Sequence, residues 1–283
     1  MLDHWLVALL LIGLAAYLLA AAGLWLAQDA LIFPRYAVGP AAYELPPGTQ
    51  RIELRTAEGH RLVGNLVRAR EPSRGLLLGF TGNAWHADDF TVFLAHRLRD
   101  VDIAAFHYRG YAPSEGRPGE AAVTDDAVAA YDYLVQRLRP ARVLLAGFSI
   151  GSGVAAALAA RRPAAGLLLV TPFDSILAVA RARYPWLPVG RLLRHPFRSD
   201  RHLADLDLPT AVIIASHDRV VPAARTEALL HVLRRPVLVE TVPDSTHGGL
   251  YHTAEIDEVL RRAIRALIAA GEPAERAAAA AVS

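Results

Sequence analysis

The sequence contains no cysteine and no lysine, and each absence narrows the possible functions. Without cysteine there is no disulfide framework, no thiolate nucleophile and no Cys-ligated metal. All 30 basic residues are arginine, a bias typical of a GC-rich bacterial genome, and the net charge is only +2. Because no block of five or more like charges accompanies this small net charge, nucleic acid is not an expected partner.

The longest run without a charge covers residues 5–27, within an expected anchor of residues 1–30. Trp5 and Trp25 stand near its ends, and a helix of that length places them roughly 30 Å apart, as expected for two interfacial anchors. A cleavable signal peptide, the alternative, has an apolar region of about 7 to 15 residues after a basic segment. Residues 1–4 contain no Lys or Arg. We therefore expect one uncleaved transmembrane helix, in the inner membrane of a bacterium.

The side of the membrane is not predicted, because Arg35 is the only basic residue close to either end of this run.

Residues 31–270 alternate short apolar strands with helical segments, which is typical of one α/β domain whose mostly parallel sheet has helices on both faces. A β-hairpin is predicted first, over residues 50–56 and 61–68. The further strands are predicted over residues 75–80, 101–107, 143–147, 166–170, 211–215 and 237–242, and the helices over residues 88–99, 121–139, 150–161, 223–233 and 254–269. Residues 172–209 interrupt this rhythm as an insert, and the Ala-rich residues 271–283 are expected to form a flexible tail.

The strand predicted over residues 143–147 leads into Gly147-Phe148-Ser149-Ile150-Gly151 and then into an Ala-rich helix. A G-x-S-x-G sequence between a strand and a helix is typical of a nucleophile elbow, in which a sharp turn lifts the serine from the sheet edge. The glycines are needed because side chains at 147 and 151 would collide with neighbouring backbone. A glycine-rich turn with an incidental serine is the alternative interpretation.

A nucleophilic serine needs a histidine base within hydrogen-bond reach and an acid that orients that histidine. In the fold that carries such an elbow, the acid and then the histidine follow the serine in the chain. His247 follows the last strand in a loop of small residues, at the sheet edge where the elbow opens. His252 is the alternative, but its position suggests the start of the last helix. The other histidines after Ser149 lie in the insert, in the loop after residues 211–215 or in a predicted helix: His195, His202, His217 and His231.

Asp218 is predicted to be the acid, because it follows the strand at residues 211–215 and so lies at the carboxyl edge. Asp174, which follows the preceding strand, is the competing candidate. The two oxyanion donors are expected to be the backbone N–H groups of Ile150, next to the serine, and Asn83, in the loop after the third strand. No metal or cofactor is expected, since the histidines are scattered and no dinucleotide-type glycine loop follows a strand.

These residues resemble the Bem46 and ABHD-type branch of the α/β-hydrolases, which are membrane-anchored serine hydrolases. The resemblance covers nearly the whole chain and rests on Leu31-Ile32-Phe33-Pro34, Thr81-Gly82-Asn83-Ala84, Tyr108-Arg109-Gly110-Tyr111 with Ser114-Glu115-Gly116, the serine elbow and the Asp218 and His247 loops. It implies an α/β-hydrolase fold in which residues 108–116 form a structural loop lining the site, so that Arg109 and Tyr111 belong to the scaffold and not to the catalytic groups. Tyr111 is also a candidate for substrate binding. Two departures are Thr81, where the family usually has His, and a looser histidine loop, Ser245-Thr246-His247-Gly248-Gly249.

The expected function is hydrolysis of a carboxylic ester or thioester, possibly of an acyl lipid, through an acyl-enzyme. A peptidase, an acyltransferase or a non-catalytic membrane-tethered binding module are the alternatives, because a fold does not fix a function. The insert is expected to form a short helical lid over Ser149, with Trp186 and Leu192 contacting an amphiphilic substrate. An ordinary helical cap with solvated arginines is the alternative. Deletion of residues 1–28 is expected to release an active soluble enzyme.

Overall fold

The computed structural model describes residues 2–70 and 72–280, and a central sheet organises them. Its eight strands are β1 (Gln50–Arg55), β2 (Arg61–Val67), β3 (Leu76–Phe80), β4 (Asp102–Phe106), β5 (Val143–Phe148), β6 (Gly166–Val170), β7 (Thr210–Ala215) and β8 (Pro236–Val242). They are ordered β1-β2-β4-β3-β5-β6-β7-β8. β1 and β2 are antiparallel to their neighbours, whereas β3 to β8 are parallel. The carboxyl ends of β3, β5, β7 and β8 therefore meet at one edge.

Helices cover both faces of this sheet. In chain order they are α1 (Leu2–Ile32), α2 (Ala87–Arg97), α3 (Glu120–Leu138), α4 (Ile150–Ala159), α5 (Ile176–Arg183), α6 (Val189–Leu192), α7 (Ser199–Leu203), α8 (Ala223–Leu230) and α9 (Glu255–Ala280). α2 and α9 pack on one face, and α3, α4 and α8 pack on the other. Because both faces are covered, β3, β5 and β6 are buried along their whole length, which explains their uninterrupted apolar sequences.

The predicted α/β architecture is confirmed, with every predicted strand and helix present to within a few residues. The largest difference is at the end of the chain, where α9 extends to Ala280 and takes in most of the segment expected to be a tail. Residues 281–283 of that segment lie outside the described residues.

α1 is long and apolar enough over His4–Ile32 to cross a membrane, with a mean hydropathy of 2.4. Its C-terminal turns are docked on the α/β domain. Gln28 is only 6% exposed and Phe33, the residue after α1, is 3% exposed within the core. Apolar packing and hydrogen bonds therefore join this helix directly to the domain.

Candidate active site

The elbow between β5 and α4 positions Ser149. The backbone of this residue has φ 52° and ψ −119°, a left-handed conformation that costs energy in any residue with a side chain. A Cβ added to Gly147 would collide with the backbone of Gly151 and Ser152, and one added to Gly151 would collide with the carbonyl oxygens of Phe80 and Thr81. The two glycines are thus required by the close approach of α4 to β3 and β5.

Ser149, His247 and Asp218 form a hydrogen-bonded chain at the carboxyl edge of the sheet. The Nε2 atom of His247 lies 2.8 Å from Ser149 Oγ, and its Nδ1 atom lies 2.7 Å from Asp218 Oδ2. The other carboxylate oxygen of Asp218 accepts hydrogen bonds of 2.8 Å from the N–H groups of Val220 and Val221. In this arrangement the imidazole can take the hydroxyl proton while the carboxylate orients the ring and stabilises the imidazolium.

Among the described residues, neither competing candidate joins this chain of hydrogen bonds. Asp174 accepts hydrogen bonds from the Ser175 N–H at 2.7 Å and from Arg225 Nη1 at 3.1 Å, at the start of the insert. Burial raises the pKa of Asp174 in spite of these bonds. His252 closes the short 3₁₀ helix Gly249–His252, and within the described part of the chain it makes no hydrogen bond to Ser149. The structure therefore places Asp218 and His247, not Asp174 and His252, in line with the serine.

The loop after β3 brings Asn83 to the serine. A Cβ on Gly82 would lie 3.8 Å from the Cβ of Ser149, so the backbone of this loop runs beside the nucleophile. Ile150 begins α4, where the first N–H groups of a helix lack intrahelical acceptors. Across residues 2–70 and 72–280, neither the Asn83 N–H nor the Ile150 N–H donates to another protein group. Both are available to a developing oxyanion.

Two tyrosines brace this loop from behind. The hydroxyl of Tyr108 donates to the Thr81 carbonyl, and that of Tyr111 donates to the Asn83 carbonyl, each at 2.9 Å. Burial raises the pKa of both phenols, so both remain protonated donors. Tyr111 is 4% exposed and does not line the cavity at Ser149. The structure therefore places Tyr111, predicted to bind substrate, outside this cavity, where its ring packs into the core and its hydroxyl holds the loop after β3.

Arg109, in the same loop, is part of the scaffold. Its guanidinium pairs with Asp126, with Nη2 2.6 Å from a carboxylate oxygen, and also with Glu58. The side chain is 5% exposed, so it ties the loop to α3 and to the β1–β2 turn without reaching the serine.

Ser149 opens into a cavity of about 500 Å³ whose lining is mainly apolar. Trp85, Phe93 and Tyr251 form its aromatic wall, with the Trp85 ring centroid 5.1 Å from Phe93 and 4.9 Å from Tyr251. The remaining lining residues are Tyr43, Gly82, Asn83, Ala84, Asp89, Val92, His96, Arg97, His247, Gly248 and His252. Sequence reasoning missed the aromatic wall. Only Trp85 could have been placed near the serine from the sequence, because it follows Asn83 by two residues. Phe93 and Tyr251 lie in helical segments, where nothing in the sequence marks them as cavity residues.

The predicted substrate contacts of the insert are not at this cavity. Trp186 packs its ring edge-on to Tyr17 of α1 with the centroids 5.9 Å apart, and Leu192 lines a separate cavity between the insert and α1. No residue of the segment 172–209 lines the cavity at Ser149. The expectation of a lid over the serine is therefore corrected: the insert packs beside α1, because apolar side chains such as Trp186 and Leu192 face that helix.

One group of potential metal ligands occurs among the described residues, formed by His86, Asp88 and His107 with ligand atoms within 4.8 Å of one another. The Asp88 carboxylate already accepts hydrogen bonds from Arg51 at 2.8 and 3.1 Å, from Asn65 at 2.8 Å and from His107 at 2.9 Å. Burial alone would raise the pKa of Asp88, but these bonds outweigh it and hold the pKa well below its usual range. Because the Arg51 guanidinium already donates to both oxygens of the Asp88 carboxylate, we interpret this group as a polar network and not as a metal site.

The serine elbow at the carboxyl edge of a mostly parallel sheet, with an acid and a histidine on the following strands, defines the α/β-hydrolase class. A family model described as alpha/beta hydrolase fold matches residues 76–190. The uncharacterized protein Rv2307c of Mycobacterium tuberculosis (strain ATCC 25618 / H37Rv) is 34% identical over 231 residues, which is 80% of this chain and 82% of that protein. The chain therefore belongs to the α/β-hydrolase family.

More distant relatives include proteins with named activities. The lysophosphatidylserine lipase ABHD12 of Danio rerio is 26% identical over 227 residues, covering 69% of this chain and 59% of the lipase. Among solved structures, an α/β hydrolase from Vibrio vulnificus superposes with a TM-score of 0.61 at 18% identity, covering 79% of this chain and 81% of that one. The Pyrococcus furiosus esterase Pf2001 superposes with a TM-score of 0.59 at 16% identity, covering 79% and 93%. These two structures share the fold.

Proposed function

We propose that this protein is a membrane-anchored serine hydrolase that cleaves a carboxylic ester or thioester through an acyl-enzyme. The observation that carries the proposal is the chain of hydrogen bonds from Asp218 through His247 to Ser149, with Ser149 open to a mainly apolar cavity. Neutral serine is a weak nucleophile, and this constellation activates it.

In the proposed reaction, Ser149 Oγ attacks the acyl carbonyl carbon while His247 Nε2 takes the hydroxyl proton. The carbonyl oxygen becomes an oxyanion that accepts hydrogen bonds from the N–H groups of Asn83 and Ile150. The tetrahedral intermediate collapses when His247 returns the proton to the leaving alcohol or thiol. A water molecule then attacks the acyl-serine by the same route, and Asp218 stays ionised throughout.

The cavity supports an amphiphilic acyl substrate. Trp85, Val92, Phe93 and Tyr251 offer an apolar wall close to the serine, whereas His96 and Arg97 supply basic groups on the same cavity. Arg97 is held there by a 2.7 Å ion pair with Asp257 and by stacking over the Phe93 ring at 3.9 Å. An acyl chain against the wall and an anionic or polar group near Arg97 would use both features. A relative named for lysophosphatidylserine lipase activity and a structural neighbour named as an esterase are consistent with this class.

We also propose that α1 anchors the enzyme in a membrane as a single uncleaved span. Its length of 31 residues corresponds to about 46 Å, more than the roughly 30 Å of a hydrocarbon core. Trp5 and Trp25 are 73% and 43% exposed on its surface, as interfacial anchors would be.

A fluorophosphonate probe tests the catalytic proposal directly. We expect it to label the full-length protein at Ser149, and Ser149→Ala to abolish both labelling and turnover of a panel of acyl esters and thioesters. Ser73→Ala is the matched control, because Ser73 is exposed and precedes β3, at the opposite edge of the sheet. A Ser149→Ala protein that keeps more than about a hundredth of wild-type turnover would overturn the assignment, since binding and oxyanion contacts alone leave far less.

A further inference from the structure

A second cavity, of about 240 Å³, lies between α1 and the helices α5 and α6 of the insert. Aliphatic side chains such as Leu24, Leu31, Val179 and Leu192 form most of its lining. It shares no lining residue with the cavity at Ser149. The proposed hydrolysis therefore makes no use of it.

Polar contacts between α1 and the insert fix the walls of this cavity. Gln28 donates to the Leu192 carbonyl at 3.2 Å and accepts from the Arg194 N–H at 2.7 Å. Arg194 also pairs with Asp29 at 3.0 Å, and its guanidinium lies 5.0 Å from the centroid of the Trp25 ring. These contacts fix the position of the insert against α1, so the space between them is part of the fold.

The position of this cavity along α1 indicates what can enter it. Its α1 wall runs from Ala21 to Ile32, which starts within the apolar span and passes the interfacial Trp25. The insert also contacts Tyr17, two turns before Trp25 and about 12 Å deeper along the helix. With α1 in a bilayer, the cavity lies at the level of the lipid leaflet, where acyl chains are the abundant apolar ligand.

Water is a poor occupant of such a space. The lining is almost wholly apolar, so a water molecule would find few hydrogen-bond partners in this cavity. Arg183 is exposed at its border and makes no ion pair or hydrogen bond within the described residues. An anionic headgroup would complement this free guanidinium, since lipid phosphates attract arginine near the membrane surface.

We infer that this cavity binds one acyl chain of a membrane phospholipid, with the headgroup near Arg183. The inference rests on the proposed membrane anchoring, but it does not depend on catalysis. The lipid serves as a bound ligand at the junction of α1 and the insert. The carbonyl of Ile32, which lines this cavity, accepts a hydrogen bond from the Asn83 side chain. The lipid cavity therefore adjoins the loop after β3 that holds the proposed oxyanion donor Asn83, called the oxyanion loop below.

Photolabelling tests this site. The full-length protein is reconstituted in vesicles of phosphatidylethanolamine and phosphatidylglycerol containing a phospholipid with a diazirine on its acyl chain, and the labelled peptides are mapped. A parallel sample contains a diazirine fatty acid instead. We expect the phospholipid to label residues 176–193 and the cavity side of α1. Ala180→Trp and Ala21→Trp, which fill the cavity from its two walls, should each lower labelling of the insert at least tenfold.

Matched controls are Ala182→Trp and Ala22→Trp, on the same two helices but exposed and outside the cavity. They should label like the wild type. If Ala180→Trp and Ala21→Trp were both labelled as strongly as the wild type, the label would come only from the lipid that surrounds any membrane helix. That result would overturn the inference. Labelling by the fatty acid alone would overturn it as well. Carbonate extraction and fluorophosphonate labelling of the same samples report separately on anchoring, folding and the serine, so a failure of the proposed function is distinguishable.

Discussion

The side-chain amide of Asn83 donates a hydrogen bond to the carbonyl of Ile32 across 3.2 Å, and so joins the oxyanion loop to the last residue of α1. On its other side, the same loop accepts the hydroxyl of Tyr111 at the Asn83 carbonyl. Neither Ile32 nor Tyr111 lines the cavity at Ser149. The position of the Asn83 N–H therefore depends on residues that do not touch the substrate.

Tyr111→Phe should lower kcat about five- to thirty-fold with little change in KM. The substitution leaves a buried carbonyl without its donor, a loss of roughly 1 to 2 kcal/mol that would act on the oxyanion loop. Steady-state kinetics on a short-chain ester measure it. Tyr36→Phe, at a residue that is 75% exposed, is the control and should have no effect. A raised KM with unchanged kcat would instead mean that Tyr111 contacts the substrate.

Asp218→Asn should lower kcat by a factor on the order of 10⁴, because the amide favours the wrong tautomer of the catalytic histidine. Asp174→Asn should change kcat by less than about tenfold, since its carboxylate pairs with Arg225 and not with His247. Single-turnover and steady-state rates of the two variants decide the question. A larger loss at Asp174 would move the acid to the loop after β6.

Gly151→Ala should destabilise the fold and impair catalysis together. Its methyl group would collide with the carbonyl oxygens of Phe80 and Thr81, and overpacking of this kind costs about 1 to 3 kcal/mol. For a domain of this size, Tm should fall by roughly 2 to 4 °C for each kcal/mol. Gly39→Ala is the control, because nothing lies within 4 Å of the added methyl group. Equal Tm values for the two variants would contradict the steric argument.

Asp88→Asn should destabilise the protein at neutral pH by an amount that shrinks as the pH falls. The folded-state pKa of Asp88 is depressed, so its ionised form stabilises the fold above the unfolded pKa of about 3.9. That contribution is lost as the pH falls from about 4 towards the folded pKa. Thermal unfolding of both proteins between pH 2.5 and pH 7 measures the difference in Tm. A difference that grows in acid would have the wrong sign for a depressed pKa.

Deletion of residues 1–28 should yield a less stable, poorly soluble protein, contrary to the expectation from sequence. It removes Gln28 with its bonds to the insert and exposes apolar side chains such as Val179 and Leu192 to water. A shorter deletion of residues 1–16 keeps these contacts and is the matched comparison. We expect a Tm several degrees higher for the shorter deletion, by thermal unfolding in the same detergent. Identical Tm values would mean that α1 is only a tether.

The sequence predicted the alternation of strands and helices and the residues of the elbow because these depend on local patterns. A buried parallel strand is a short apolar run, and the G-x-S-x-G pattern around Ser149 marks the elbow within five residues. Asp218 and His247 were predictable because each directly follows a strand whose carboxyl end lies at the elbow. Topology alone brings such residues together.

Tertiary packing decided what the sequence did not predict. Phe93 and Tyr251 reach the cavity from two helical segments 158 positions apart, and their local sequence does not distinguish them from core residues. Trp186 and Leu192 follow a strand that ends at the active edge, which suggested a lid. In the structure they lie beside the apolar surface of α1 and not over the serine. Trp186 pairs with Tyr17 across 169 positions, a contact that local sequence does not predict.

The burial of Phe33 directly after α1 sets how this enzyme meets its substrates when α1 lies in a bilayer. An enzyme on a flexible linker takes up many orientations above the membrane, so it meets molecules dissolved in the surrounding water as readily as those at the membrane surface. Here Phe33 is packed into the core directly after α1, so with α1 in a bilayer the mouth of the serine cavity would keep a fixed height and tilt above the membrane. Its encounters are then a two-dimensional search, in which the lateral density of a substrate in the leaflet matters more than its concentration in solution.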